Sequence, residues 1–157
     1  MSLNHSLDFG TPARKSEELV TLSIDGIEVT VPKGTSIMRA AAELGTAIPK
    51  LCATDSLEPF GSCRMCLVEV QGQARPQPAC VTPAQEGDVV QTDTPALQAF
   101  REAEGGWLLA RHPNDCLHCE ANGDCRFQSL VNEHQWESRW PVLARGSADH
   151  PEHVLED

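Results

Sequence analysis

The sequence predicts an α+β fold, on three observations. Two runs of alternating apolar residues are joined by Asp25-Gly26, a short helical pattern follows, and a loop full of breakers then leads to short strands. In the first run Val20, Leu22 and Ile24 alternate with polar residues, and Ile27, Val29 and Val31 do so in the second. Asp-Gly between such runs signals a hairpin, because a type I′ turn needs positive φ at both central residues. Pro32-Lys33-Gly34 turns the chain, and Thr35 or Ser36 can cap a helix whose face carries Ile37, Ala41 and Leu44. Gly45 is placed to end it. Between 48 and 61 neither period holds, and Pro49, Asp55, Pro59 and Gly61 act as breakers. Strands are expected over 66–70, 79–82 and 89–92, with a turn at Gln71-Gly72-Gln73. Hairpin, helix, long loop and short strands, in that order, are consistent with a β-grasp.

A second segment begins at Thr94-Pro95, with a helix to about Arg111 that Gly105-Gly106 should weaken by roughly 1 kcal/mol per glycine. Another helix is expected near Arg126, carrying Phe127, Leu130, Val131 and His134. The expected division is a flexible leader over 1–18, a first domain over 19–93, a helical segment over 94–138 and an acidic tail over 139–157.

The hydrophobic fraction of 40% suffices for a core, but aromatics at 4% and the absence of tyrosine leave little bulk to fill one. A net charge of −11 argues against nucleic-acid binding, which needs a basic face. That charge reads either as solubility or as docking to a basic redox partner. No stretch approaches the roughly 20 apolar residues needed to cross a bilayer. The first residues have neither a basic nor an apolar signal region, so the expectation is a cytoplasmic protein without membrane insertion. Seven cysteines are then expected as thiols in a reducing compartment, which points to metal ligation rather than disulfides.

Cys52, Cys63, Cys66 and Cys80 form C-x10-C-x2-C-x13-C. Four thiolates are what a [2Fe–2S] cluster needs, two for each iron. The long first gap lets a loop wrap the cluster with its amides toward the sulfurs, while Cys80, on a later strand, ties the loop to the sheet. Gly61-Ser62 gives a small, flexible approach to Cys63. Structural zinc favours two close ligand pairs, and this set has one.

Pro49-Lys50-Leu51-Cys52 and Gly61-Ser62-Cys63-Arg64-Met65-Cys66-Leu67 resemble the [2Fe–2S] signature of the large iron–sulfur subunit of NADH:quinone oxidoreductase, respiratory complex I. NAD-reducing hydrogenases and molybdenum- or tungsten-dependent, NAD-linked formate dehydrogenases share that module. Cys52-Ala53-Thr54-Asp55 departs from the complex I pattern toward the formate dehydrogenase branch. So do Asp8-Phe9-Gly10-Thr11-Pro12 and Leu22-Ser23-Ile24-Asp25-Gly26.

His112, Cys116, Cys119 and Cys125 form H-x3-C-x2-C-x5-C. Three thiolates and one imidazole can ligate either a [4Fe–4S] cluster or a zinc ion. Pro113-Asn114-Asp115 breaks the preceding helix so that His112 can fold back, and Gly123 permits the turn into Cys125. The resemblance implies the cluster, because the same families place a His-ligated [4Fe–4S] centre directly after the ferredoxin-like domain. Leu117, where complex I usually has Pro, Asn122 and Phe127 depart from that pattern and leave the four donors in place. His118 reads as a solvated side chain, and Trp107, Trp136 and Trp140 as core or interface anchors.

The expected fold is thus a β-grasp [2Fe–2S] ferredoxin-like domain followed by a short helical [4Fe–4S] segment with one histidine and three cysteine donors. The related families continue with more four-cysteine motifs, and the dehydrogenases with a pterin domain, whereas no cysteine follows Cys125. No Rossmann fingerprint, Walker lysine or flavin site is evident, and no residue is assigned a catalytic role. The resemblance implies a non-catalytic electron-transfer subunit of a hetero-oligomeric formate dehydrogenase. Its expected partners are a molybdenum- or tungsten-pterin subunit and a flavin/NAD-binding iron–sulfur subunit. A free-standing ferredoxin, or a small subunit of an NAD-reducing hydrogenase or complex I-like enzyme, is the alternative.

Overall fold

The computed structural model describes residues 8–113 and 115–137. The expected acidic tail from 139, Trp140, Asn114 and the first seven residues of the leader lie outside them. The chain divides into two compact units between Gln98 and Ala99.

The first unit opens on β1 (Leu19–Ile24) and β2 (Ile27–Pro32), paired antiparallel from Leu19 opposite Pro32 to Ile24 opposite Ile27. Asp25 and Gly26 both take positive φ, 51° and 83°, as a type I′ turn demands. Helix α1 (Ile37–Glu43) is capped by Ser36, whose hydroxyl accepts from the Arg39 amide. Strands β3 (Leu67–Val70), β4 (Gln77–Pro78) and β5 (Val89–Gln91) complete a sheet of order β2-β1-β5-β3-β4. Only β1 and β5 run parallel; the other neighbours are antiparallel. Leu22, Ile24, Val31, Val68 and Val90 from the strands are buried with Ile37, Met38, Ala40 and Ala41 from α1 in one core. This is the α+β architecture that the patterning predicts.

Two local expectations change. The strand expected over 79–82 is instead β4 at Gln77–Pro78, followed by a turn in which the amides of Val81 and Thr82 both donate to the Pro78 carbonyl, at 3.1 Å each. Cys80 therefore sits in that turn, not on a strand. The start of α1 explains the turn. A helix leaves its first amides without internal partners, and here the Ile37 amide donates to the Thr82 carbonyl (2.9 Å) and the Met38 amide to that of Ala79 (3.0 Å). The leader also departs from expectation, because from Asp8 it is held in place. The Asp8 carboxylate accepts from the Gly10 and Asp55 amides at 2.8 and 3.0 Å, and Thr11 is buried with its hydroxyl 2.7 Å from that of Ser36.

Thr94 caps α2 (Pro95–Arg111), its hydroxyl accepting from the Leu97 amide, with Pro95 at the first helical position. In the second unit a 3₁₀ turn (Cys116–His118) leads to α3 (Arg126–His134), whose Leu130 is fully buried. Gly105-Gly106 does not interrupt α2. The reason for Gly105 is steric: a β-carbon there would lie 2.4 Å from Cε3 of Trp136, which is buried and stacked on His134 at 5.0 Å. Alanine would gain about 1 kcal/mol in helix propensity, but overpacking against a fixed ring costs about 1–3 kcal/mol. Gly105→Ala is therefore expected to destabilise the second unit, measured by urea denaturation; a more stable variant would show that the ring yields freely.

Candidate metal centres

The loop after α1 carries Cys52, Cys63 and Cys66, and the turn after β4 carries Cys80. The Cys63 amide donates to Cys52 Sγ at 3.4 Å. Burial pushes the Cys63 thiol up, while amides of Met65, Leu51 and Cys52 favour its thiolate. Cys66 and Cys80 are buried and share a hydrogen bond. That bond from Cys80 holds Cys66 down to about 7 against the opposing effect of burial. Cys80 is pushed up by the same bond, by burial and by the charges of Cys66, Cys52 and Cys63. The charges of Cys52, Cys63 and Cys66 all act on Cys80, so the four sulfurs lie within electrostatic reach of one another. Amides of Ala79 and Cys80 also favour the Cys66 thiolate. Hydrogen bonds of this kind stabilise sulfur negative charge and tune a bound cluster.

Arg64 has a role that spacing does not reveal. It stands between Cys63 and Cys66 with φ 56°, a left-handed conformation rare outside glycine. This reversal belongs to the turn that carries the Met65 amide favouring the Cys63 thiolate, and Met65 itself is fully buried beneath. Gly61, at φ 70°, lets the loop pass Val81, whose Cγ2 would lie 3.3 Å from an added β-carbon.

In the second unit His112, Cys116, Cys119 and Cys125 all line one cavity of about 290 Å³, with Leu109 and Phe127 also in its lining. Cys125 caps α3, its Sγ accepting from the Gln128 amide at 3.5 Å. Phe127 packs on the His112 ring, centroids 5.3 Å apart. His118 points away, 82% exposed, with Nδ1 2.8 Å from the Asp115 carboxylate. It does not line the cavity. Three thiols and one imidazole around a partly apolar cavity suit a cluster of four irons. Among the described residues, no group of three or more His, Cys, Asp or Glu side chains is drawn together as it would be around a bound metal.

Comparison with known proteins agrees with this division. Residues 17–95, half of the chain, match the family described as the 2Fe-2S iron-sulfur cluster binding domain. The chain belongs to that family. Beyond the [2Fe–2S] domain, residues 106–139 match the NADH-ubiquinone oxidoreductase-G iron-sulfur binding region. The chain therefore carries one [2Fe–2S] and one [4Fe–4S] cluster, which decides between the two readings of the second donor set. The G subunit of the NADH-quinone oxidoreductase of Streptomyces coelicolor is 42% identical over 134 residues, covering 83% of this chain and 16% of that protein. The NADPH-Fe(3+) oxidoreductase alpha subunit of Geobacter sulfurreducens is 43% identical over 111 residues, covering 71% and 13%. The chain thus spans under a fifth of the length of these curated relatives. A crystal structure of an NAD+-reducing [NiFe]-hydrogenase in the H2-reduced state superposes with a TM-score of 0.73 at 32% identity, covering 84% of this chain and 57% of that one.

The left-handed turn at Arg64 is testable. Arg64→Gly removes its strain and is expected to leave iron content and melting temperature unchanged or slightly raised. Arg64→Val places a β-branched residue in a region costing about 1–3 kcal/mol. It is expected to lower both, read by iron analysis and thermal melting of the loaded chain.

Proposed function

We propose that this chain is an electron-transfer subunit of a multi-subunit, NAD-linked oxidoreductase, acting in the cytoplasm and without a catalytic residue of its own. Cys52, Cys63, Cys66 and Cys80 hold its [2Fe–2S] cluster, and His112, Cys116, Cys119 and Cys125 its [4Fe–4S] cluster. The observation that carries the reading is the pair of four-donor sets, one in each unit, of the composition the two clusters require. When bound, each cluster accepts and releases single electrons. The protein's part is to hold the sulfurs, aim amides at them and restrict water around them. No helix among the described residues is long and apolar enough to cross a membrane. Docking to partner subunits supplies the path for electrons.

Within that class the favoured parent enzyme is a molybdenum or tungsten formate dehydrogenase. There the two clusters relay electrons between a metal-pterin subunit and a flavin subunit that exchanges hydride with NAD. Cys52-Ala53-Thr54-Asp55 and the 8–12 leader support it. The likeness to the NAD+-reducing hydrogenase supports a hydrogenase relay as the second reading. Native co-purification separates them. Recovery with a pterin-containing formate-oxidising subunit is expected, a nickel-containing partner would favour the second reading, and a chain recovered alone would overturn both.

The ligand sets make separate forecasts. Cys80→Ser should abolish the [2Fe–2S] paramagnetic signal of the reduced protein and spare the other, while Cys119→Ser should do the reverse. His112→Cys should retain the [4Fe–4S] cluster at an altered potential. The parent chain should contain about six irons, two from one cluster and four from the other. Loss of both signals from either serine variant without unfolding would refute two independent sites.

A further inference from the structure

The leader is tied at several points to the loop that delivers Cys52. The Asp8 carboxylate accepts from the Asp55 amide (3.0 Å) and pairs with the Lys50 ammonium, which also donates to the Ala53 carbonyl (3.3 Å). Those three loop residues bracket Cys52. Arg39, on α1, donates to the Thr11 carbonyl (2.6 Å), contacts the Asp55 carboxylate (3.4 Å) and lies 4.9 Å over the Phe9 ring. Further along, Arg14 pairs with Glu58 at 2.7 Å. Gly10 is buried against Met38, whose Sδ would be 2.4 Å from an added β-carbon, so the leader lies flat on α1. Partial burial works against the Asp8 carboxylate, yet Lys50 and the amides of Gly10 and Asp55 outweigh it and hold the carboxyl below its ordinary range. Thr11, Arg14 and Glu58 also line a cleft of about 250 Å³ that reaches Cys80 and Val81. The segment 8–14 therefore touches both approaches to the first cluster, the Cys52 loop and the Cys80 cleft.

We propose that Asp8 is a positioning residue for the [2Fe–2S] site, and that segment 8–14 is a strap that clasps the Cys52 loop and limits water at the sulfurs. The proposal rests on Cys52 and Cys80 being ligands. The Asp8 clasp bonds two backbone amides and one ammonium, so its loss frees the loop on both sides of Cys52. A looser loop admits water, which favours the more negative, reduced cluster and moves its potential upward. The [4Fe–4S] site, built from residues 112–125, serves as an internal reference in the same chain.

The test uses the whole cluster-loaded chain with Asp8→Ala, Asp8→Asn, Glu17→Ala and Cys52→Ala. Two quantities are read for each: the rate at which a chelator bleaches the [2Fe–2S] absorbance, and the midpoint potentials of both clusters by paramagnetic resonance. Asp8→Ala should release the [2Fe–2S] cluster several-fold faster and move its potential to more positive values, with the [4Fe–4S] potential unchanged. Asp8→Asn keeps an acceptor for the two amides but not the charge for Lys50, so it should fall between Ala and the parent. Glu17 is exposed, and its removal controls for net charge; Glu17→Ala should match the parent. Parental release rate and potential in Asp8→Ala would overturn the proposal, as would an equal shift in Glu17→Ala. Cys52→Ala, which leaves no donor atom at that position, should lose the [2Fe–2S] signal; its retention would overturn the ligand assignment itself, whatever the Asp8 variants do.

Discussion

Four sulfurs can share one cluster only if the loop that carries three of them and the turn that carries the fourth are held at a set distance. Backbone hydrogen bonds hold it. The Ala79 amide donates to the Cys66 carbonyl at 3.0 Å, so the residue before Cys80 is fastened to a cysteine of the other segment. The Ala79 and Thr82 carbonyls in turn receive the first amides of α1, and the Ala84 amide donates to the Thr35 carbonyl at 2.8 Å. Groups that a helix start leaves unsatisfied are used to fasten the cysteine turn. The sheet holds β3, β3 holds Cys66, and α1 holds Cys80; the first cluster site is where these restraints meet.

What is legible in the sequence has a local cause. Asp25-Gly26 announces its turn because positive φ is a property of those two residues, and the donor sets are readable because ligand chemistry follows from residue type and spacing. What the sequence conceals depends on partners distant along the chain. Cys80 reads as strand-borne because Val81 and neighbouring residues have strand character, while the turn is enforced by Ile37 and Met38. The leader reads as loose because its polar residues find their partners at Arg39, Lys50 and Asp55. Gly105 reads as a weak point in a helix, since nothing nearby in sequence announces that Trp136 will lie against it.

Electrostatics around the first site follow the same arrangement. The chain is strongly acidic, and four thiolates add to that charge. Among the cations near the cluster loop, Arg14, Arg39 and Lys50 are each engaged by a carboxylate: Glu58, Glu43 with Asp55, and Asp8. They act as fasteners more than as counter-charges to the sulfurs. Amide hydrogen bonds favour the thiolates of Cys63 and Cys66 directly.

The two donor sets also differ in how far apart their members lie along the chain. The first spans 52 to 80 and needs both α1 and the sheet in place. The second spans 112 to 125, where short backbone bonds from Cys119 to Cys116 (3.3 Å), Asn122 to Cys119 (3.0 Å) and Asp124 to Ala121 (3.0 Å) coil the segment on itself. Closing a short loop costs less entropy than closing a long one. The turn that gathers the later cysteines can therefore form early and locally, while the first quartet exists as a quartet only after the surrounding tertiary structure has formed. Gathering the first quartet therefore draws on the whole of the first unit, whereas gathering the second asks for little beyond its own segment.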